Sequence, residues 1–325
     1  MFNVALIGAG RIGKIHARNI HQHARLRLAG VVDPVAEAAQ AAAAEYETPV
    51  RDLDEVLNDP TVAGVVVASS TDTHLEYSIR AARAGKAVFC EKPIDQDLQR
   101  ATDAAGDLKN AKLLLAFNRR FDPNFQALKA RLDSGELGKL ESLQITSNDP
   151  APPPPAYVAV SGGLFKDMAI HDFDMARWLL GEEPVEVYAA GSCLVDPEIG
   201  RLGDVDTART LLKTASGKLC VIANSRRSGF GYDQRIEAYA SEGMIRADNV
   251  LESTVQVWSE TGPAADRFQN FFLDRYAEAY RREMDHFADM LDGAAPSVGY
   301  ADGVAALALA EAAAQSLRSG QPVRL

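Results

Sequence analysis

The chain has 325 residues, 47% hydrophobic and 24% charged, which is enough for two domains with cores of their own and too mixed for disorder. A net charge of −11 and a pI near 5.1 exclude a nucleic-acid-binding surface, because phosphate contacts need clustered Lys and Arg, and they point to small-molecule partners. Cys90, Cys193 and Cys220 are scattered and lack CxxC spacing, so neither a disulfide frame nor a thiolate zinc site is expected. No signal peptide precedes the first strand and no apolar run approaches the roughly 20 residues of a membrane helix, so the expected location is the cytoplasm.

In chain order, Val4–Ile7 is an apolar strand followed by Gly8-Ala9-Gly10-Arg11-Ile12-Gly13 and a helical run to about Gln22. This is GxGxxG between a strand and a helix, the context that gives the motif meaning. Gly8 permits the tight turn, Gly10 admits a pyrophosphate to the backbone and Gly13 allows close helix packing, with the phosphates on the amides that open the helix, from Arg11 and Ile12 onward. The next strand, Leu26–Val32, ends at Asp33, where an acid binds the ribose 2′-hydroxyl and repels a 2′-phosphate. NAD is therefore favoured over NADP. His16, His21 and His23 offer a metal cluster on paper but read better as the end of a solvated helix, since no carboxylate or cysteine joins them in sequence.

Strand Val62–Ala68, helix Thr71–Arg83, strand Lys86–Cys90, helix Leu98–Leu108 and strand Leu113–Phe117 continue a doubly wound parallel pattern, whose ligand lies at the carboxyl ends of the strands. Two polar clusters occupy those ends: Ser69-Ser70-Thr71 with His74, and Glu91-Lys92-Pro93. Proline at 93 holds Lys92 extended, which projects its amine toward the cofactor crevice.

After Arg119-Arg120-Phe121-Asp122 the pattern changes. Helix Pro123–Ser134 and strand Leu140–Ser147 lead through Asn148-Asp149 into five prolines within residues 150–155. Then comes the stretch from Gly162 to Gly181, read as one helix. Its apolar sector holds Phe165, Ala169, Phe173, Ala176 and Leu180, and Asp167, His171, Asp174 and Trp178 share the opposite side. A carboxylate one turn before an imidazole orients the ring and raises its basicity, as a proton-abstracting histidine needs. On that helix alone, a solvated face with one surface ion pair explains the pattern equally well. Strands follow at Val185–Val195, Thr207–Lys213, Lys218–Ser225, Gln234–Ala240, Met244–Ala247 and Thr254–Ser259, with turns at Ser216-Gly217 and Glu242-Gly243 that make the sheet mostly antiparallel. Too few helices follow to cover its second face, so residues such as Leu211 and Val221 imply a homo-oligomer. Helices at Phe272–Leu291 and Ala301–Leu317 end the chain. The expected architecture is an α/β Rossmann domain over residues 1–120 and an α+β domain over residues 121–325, with a large open-faced sheet, for substrate and oligomerisation.

GAGRIG at residues 8–13, EKP at 91–93, FNRRFDP at 117–123, DMAIHDFDMARWLLGEEP at 167–184, NSRR at 224–227 and GYDQRIE at 231–237 together resemble the glucose-fructose oxidoreductase and inositol dehydrogenase family over nearly the whole chain. The resemblance implies a catalytic set of Lys92, Asp167 and His171, with substrate contacts at Arg119, Asp149, Asp174 and Tyr232. Asp149 stands where some relatives have Asn, which bears on the polyol preferred. It also implies tetramers formed through the open sheet. The expected reaction is oxidation of a ring secondary alcohol of a cyclitol, myo-inositol first, without a catalytic metal: His171 as base, Asp167 as its partner and Lys92 as the cation on the reacting oxygen. Scyllo-inositol or an aldose is the alternative substrate, and an NAD-binding sensor without turnover is the alternative class.

Overall fold

Five short apolar runs form one all-parallel sheet in the computed structural model, which describes residues 1–325. They are β1 (Phe2–Ile7), β2 (Leu26–Val32), β3 (Val62–Val67), β4 (Ala87–Cys90) and β5 (Leu113–Leu115), in the order β2-β1-β3-β4-β5. Val4, Val65, Val66, Val88 and Phe89 are wholly buried, as befits strands covered on both faces. The connecting helices are α1 (Arg11–Gln22), α2 (Ala36–Glu45), α3 (Leu53–Asn58), α4 (Thr71–Arg83), α5 (Leu98–Asp103) and α6 (Ala105–Leu108). Val50 adds a single parallel bridge to Val31 on the outer edge of β2. Counted as a vestigial strand, it completes the 3-2-1-4-5-6 order of dinucleotide-binding sheets.

Three sequence expectations need correction in this unit. Helices α2 and α3 were not anticipated: α2 is almost all alanine and buries only Ala39, Ala42 and Ala43, too small a stripe to register as periodicity. The expected helix Leu98–Leu108 breaks at Ala104, whose ψ of 1° leaves helical geometry. Strand β5 stops at Leu115, because the Phe117 amide turns back to the Leu115 carbonyl and starts a 3-10 turn, Asn118–Phe121.

The sheet is completed from the far end of the chain: Met1–Phe121 and Glu278–Leu307 form one unit, Asp122–Ala277 and Ala308–Leu325 the other. Gly64 on β3 shows how close the late segment comes. A Cβ there would lie 2.9 Å from the Phe287 ring.

The second unit opens with α7 (Pro123–Asp133), capped by Asp122, whose Oδ1 accepts from the Asn124 and Phe125 amides. Then follow β6 (Leu140–Asn148), α8 (Pro155–Val158), α9 (Gly163–Asp167), α10 (Ile170–Leu180), β7 (Pro184–Ser192), α11 (Pro197–Arg201), β8 (Thr207–Thr214), β9 (Leu219–Ser225), β10 (Asp233–Ala240) and β11 (Gly243–Ala247). Beyond them in the chain lie β12 (Gln256–Ser259), β13 (Gly262–Ala265), α12 (Phe272–Arg275), α13 (Ala277–Leu291), α14 (Tyr300–Ser319) and β14 (Val323–Arg324), of which α13 from Glu278 and α14 up to Leu307 belong to the first unit. Seven strands pair in the order β11-β10-β6-β9-β8-β7-β14, and only β6 and β9 run parallel. The expected strand at Thr254–Ser259 is absent from this sheet, since β12 pairs with β13 alone. The expected helix Phe272–Leu291 breaks at Tyr276, which has a ψ of 16°.

Alternation decides which face is which. Val187, Leu212, Cys220, Leu143 and Ala238 form a cross-strand row that is buried. One residue along, Tyr188, Leu211 and Val221 form a row exposed by 40%, 39% and 41%, so this face stays open within the chain. No helix of the protein is long and apolar enough to cross a membrane.

Candidate active site

The turn after β1 is built by the absence of side chains. Gly8 has φ of 98° and its amide donates to the Val32 carbonyl, tying the turn to β2. A Cβ on Gly13 would fall 2.0 Å from the Gly8 carbonyl oxygen, so this glycine lets α1 sit on the turn. Gly10 differs: a Cβ there would meet nothing within 4 Å. The open space over Gly10, before the exposed Arg11 and half-buried Ile12 that begin α1, fits a dinucleotide's pyrophosphate at the start of that helix. Asp33 closes the cradle. Its Oδ2 accepts from the Ala9 amide at 2.6 Å and its Oδ1 from the Val35 amide at 2.8 Å, and each oxygen keeps a second lone pair for ribose hydroxyls.

The turns after β3 and β4 are braced against each other. His74 is 2% exposed, with Nδ1 2.8 Å from the Pro93 carbonyl oxygen and Nε2 3.2 Å from that of Ser69. Expected at the cofactor crevice, it links the two turns that would border it. Ser69 shares a 2.7 Å hydrogen bond with Thr73, and the half-buried Thr71 begins α4 beside it. Glu91 faces inward to His16, Oε1 to Nε2 at 2.7 Å, and half-buried Lys92 follows at the strand end. The solvated-helix reading of the three histidines therefore fails for His16, which is wholly buried with its ring centroid 4.8 Å from that of Phe89. The three do not converge either: His23 meets Asp285 at 2.9 Å and His21 lies against Tyr46. Glu283 of α13 is also wholly buried near Glu91, with neither carboxyl oxygen hydrogen-bonded. Burial first, and the charge of Glu91 second, push its pKa well above the carboxylate range. Arg119, on the 3-10 turn that ends this unit, is 5% exposed.

In the second unit, the parallel pairing of β6 and β9 puts both carboxyl ends at one edge of the sheet, beside the starts of β8 and β10. Asn148, Ser225, Thr207 and Asp233 are register neighbours there. Asp149 follows β6 and donates its amide to the Ser225 carbonyl at 2.9 Å. Tyr232 precedes β10, 7% exposed and edge-on to Tyr276 at 6.0 Å.

The histidine stretch reaches this edge as two helices rather than one. The Ala169 amide bonds the Leu164 carbonyl, five residues back, and this wide turn separates α9 from α10. Asp167 thus ends one helix and His171 stands in the first turn of the next. The apolar sector is as expected, with Phe165, Ala169, Phe173, Ala176 and Leu180 all buried. The alternative of a solvated opposite side does not hold at Asp174, which is wholly buried, 3.8 Å from Arg177. Asp167 and His171 remain half-buried where most of their neighbours are closed.

Three residues here escaped the sequence reading. Asp172 is wholly buried and accepts from Asn224 Nδ2 at 2.8 Å, which pins α10 to β9. Tyr157 of α8 donates its hydroxyl to Asp167 Oδ1 at 2.8 Å. Arg226, 1% exposed, donates Nη1 to Asp167 Oδ2 at 3.2 Å. The partners lie 52, 10 and 59 positions apart in the chain, so no local pattern connects them.

Residues 2–118 match the oxidoreductase family with the NAD-binding Rossmann fold, and residues 125–246 match the GFO/IDH/MocA C-terminal domain. An inositol 2-dehydrogenase from Rhizobium meliloti is 45% identical, covering 98% of both chains. The crystal structure of a myo-inositol dehydrogenase from Corynebacterium glutamicum superposes with a TM-score of 0.96 at 42% identity, over 100% of this chain and 99% of that one. A scyllo-inositol dehydrogenase from Lactobacillus casei, solved with NAD(H) and scyllo-inositol bound, gives a TM-score of 0.90 at 28% identity, over 100% and 99%.

Proposed function

Since the chain belongs to the GFO/IDH/MocA family of oxidoreductases, we propose that it is an NAD-dependent inositol 2-dehydrogenase, oxidising myo-inositol at one ring carbinol to 2-keto-myo-inositol. What carries the reading is that an open glycine cradle, fitted for NAD, occurs in the same chain as a carboxylate and an imidazole left half-open in an otherwise buried stretch. Residues 1–120 serve the cofactor, their sheet completed by Glu278–Leu307, and the rest of residues 121–325 the substrate.

Bound NAD would supply the acceptor for the hydride that leaves the carbinol carbon. Gly8, Gly10, Gly13 and the opening amides of α1 would hold the pyrophosphate, Asp33 the adenosine ribose, and Ser69, Thr71, His74, Glu91 and Lys92 would line the nicotinamide end. As the hydride departs, the hydroxyl must lose its proton. His171 takes it, Asp167 stabilises the imidazolium that forms, and Lys92 hydrogen-bonds the reacting oxygen as negative charge develops there. Arg119, Asp149, Asp174 and Tyr232 select the polyol. Buried Asp174 would contribute a charge-assisted hydrogen bond, worth about 1.5–3 kcal/mol.

Scyllo-inositol is the second reading, supported by the likeness to the Lactobacillus casei enzyme. We further propose a cytoplasmic homotetramer assembled through the open sheet face carrying Tyr188, Leu211 and Val221, an exposed apolar row that a partner would cover. The test is NADH formation with a panel of myo-inositol, scyllo-inositol and aldoses. Highest kcat/KM on myo-inositol is expected, and NAD binding without turnover on any of them would make the protein a sensor.

A further inference from the structure

Arg226 is costly where it stands. It is 1% exposed, yet its Nε and Nη2 make no hydrogen bond, so most of a guanidinium's donor capacity goes unused. A buried charge so poorly satisfied favours folding less than an apolar side chain of the same size. The one hydrogen bond its side chain makes goes to Asp167. The Arg226 amide donates to the Asp206 carbonyl at 2.8 Å, which fixes the backbone just past β9, and Nη1 then reaches Asp167 Oδ2 at 3.2 Å. Asp206 is anchored in turn. Burial pushes its pKa up, but amides of Leu194, Asp196 and Val195 on the carboxylate outweigh burial and bring it below the usual range.

Asp167 is gripped from the other side as well, because the Tyr157 hydroxyl holds Oδ1. Asp204 completes the frame: it accepts the Leu164 amide at 3.0 Å, at the start of α9, and lies 3.7 Å from Arg226 Nη2. The charged frame thus touches α9 at both ends, and both oxygens of Asp167 are held. We propose that Arg226 is a positioning residue for the reaction, setting the plane of the Asp167 carboxylate together with Tyr157. This rests on the reading above that Asp167 serves His171.

The test is a double-mutant cycle on the full-length enzyme, reading kcat, KM for myo-inositol and NAD affinity in Arg226→Gln, Asp167→Asn and the double variant. Arg226→Gln is expected to lower kcat roughly 10- to 100-fold, the scale of a misplaced catalytic group, with NAD affinity within a few-fold of wild type. Arg226→Lys, which restores one charged donor, should recover part of that loss. In the Asp167→Asn background, adding Arg226→Gln should change little. A full-sized Arg226 effect in that background would overturn the proposal, since the arginine would then act independently of Asp167. Wild-type turnover in Asp167→Asn would instead overturn the role of Asp167, and this inference with it. Should Arg226→Gln fail to fold, Tyr157→Phe carries the same cycle: a smaller kcat loss that vanishes beside Asp167→Asn supports the clamp, and an additive one refutes it.

Discussion

The cradle around Gly10 and the edge around Asp167 are made of different materials. The first is backbone, amides and missing Cβ atoms, drawn largely from residues 8–13 with one carboxylate added by Asp33. The second is side chains delivered by α8, α9, α10 and the end of β9, each useless without the others. A backbone device tolerates almost any neighbour but no change of stereochemistry. A side-chain device tolerates small backbone shifts but no loss of a donor.

His171→Ala should break the comparison most sharply. Turnover is expected to fall roughly 10²- to 10⁴-fold, the usual contribution of a general base, while NAD affinity by fluorescence titration stays within a few-fold. Loss of NAD binding alongside turnover would mean that the two regions are not separable.

Glu283→Gln tests whether the first unit carries a burden of its own. Burial raises the pKa of Glu283 in the folded chain well above the 4.5 it has when unfolded, so the stability tied to its proton is fully present only below about pH 4.5. As pH rises above that value, folding must take up a proton, and stability falls by up to about 1.4 kcal/mol per pH unit until the raised folded pKa is passed. The Gln variant should therefore melt higher than wild type by a margin that widens with pH. Parallel melting curves across pH 5 to 8 would show Glu283 ionised in the fold.

The glycines should separate within the cradle. Gly13→Ala forces a Cβ onto the Gly8 carbonyl and should cost stability by roughly 1–3 kcal/mol, seen in the melting temperature. Gly10→Val, at an ordinary φ of −70° and facing open space, should melt like wild type yet bind NAD at least about tenfold more weakly, by displacing the pyrophosphate. Equal NAD affinity would move the phosphates elsewhere. The smallest effect is expected at the cradle's one side chain. Asp33→Ser should shift preference toward NADP by about 1–3 kcal/mol, with some general loss because the Ala9 amide is released. An unchanged NAD to NADP efficiency ratio would take Asp33 off the ribose.

The same contrast explains what could be read ahead of the structure. GAGRIG, the strand before it and Asp33 are contiguous or regularly spaced, and backbone chemistry needs only that spacing. His171 and Asp167 were visible as a pair, but the wide turn at Ala169 was not, because nothing in DMAIHD marks a carbonyl skipped by one residue. Arg226 stood out only as part of NSRR. Its link to Asp167 depends on β9 running parallel to β6, a pairing set by the whole sheet rather than by either strand. The burial of Asp174 could not be read ahead, because a wholly buried carboxylate and a solvated one have the same helical phase.

The packing of Phe287 onto Gly64 also bears on the order of events during synthesis. Domains near the amino terminus usually fold first as they leave the ribosome. Here the nucleotide-binding sheet borrows Glu278–Leu307, so its core cannot close until nearly the whole polypeptide has been made. Nascent chains stalled before residue 278 are therefore expected to keep the residues 1–121 segment protease-sensitive, and protection at that length would show that the late helices are dispensable. Until they arrive, the half-covered strands are a natural client for a holdase chaperone.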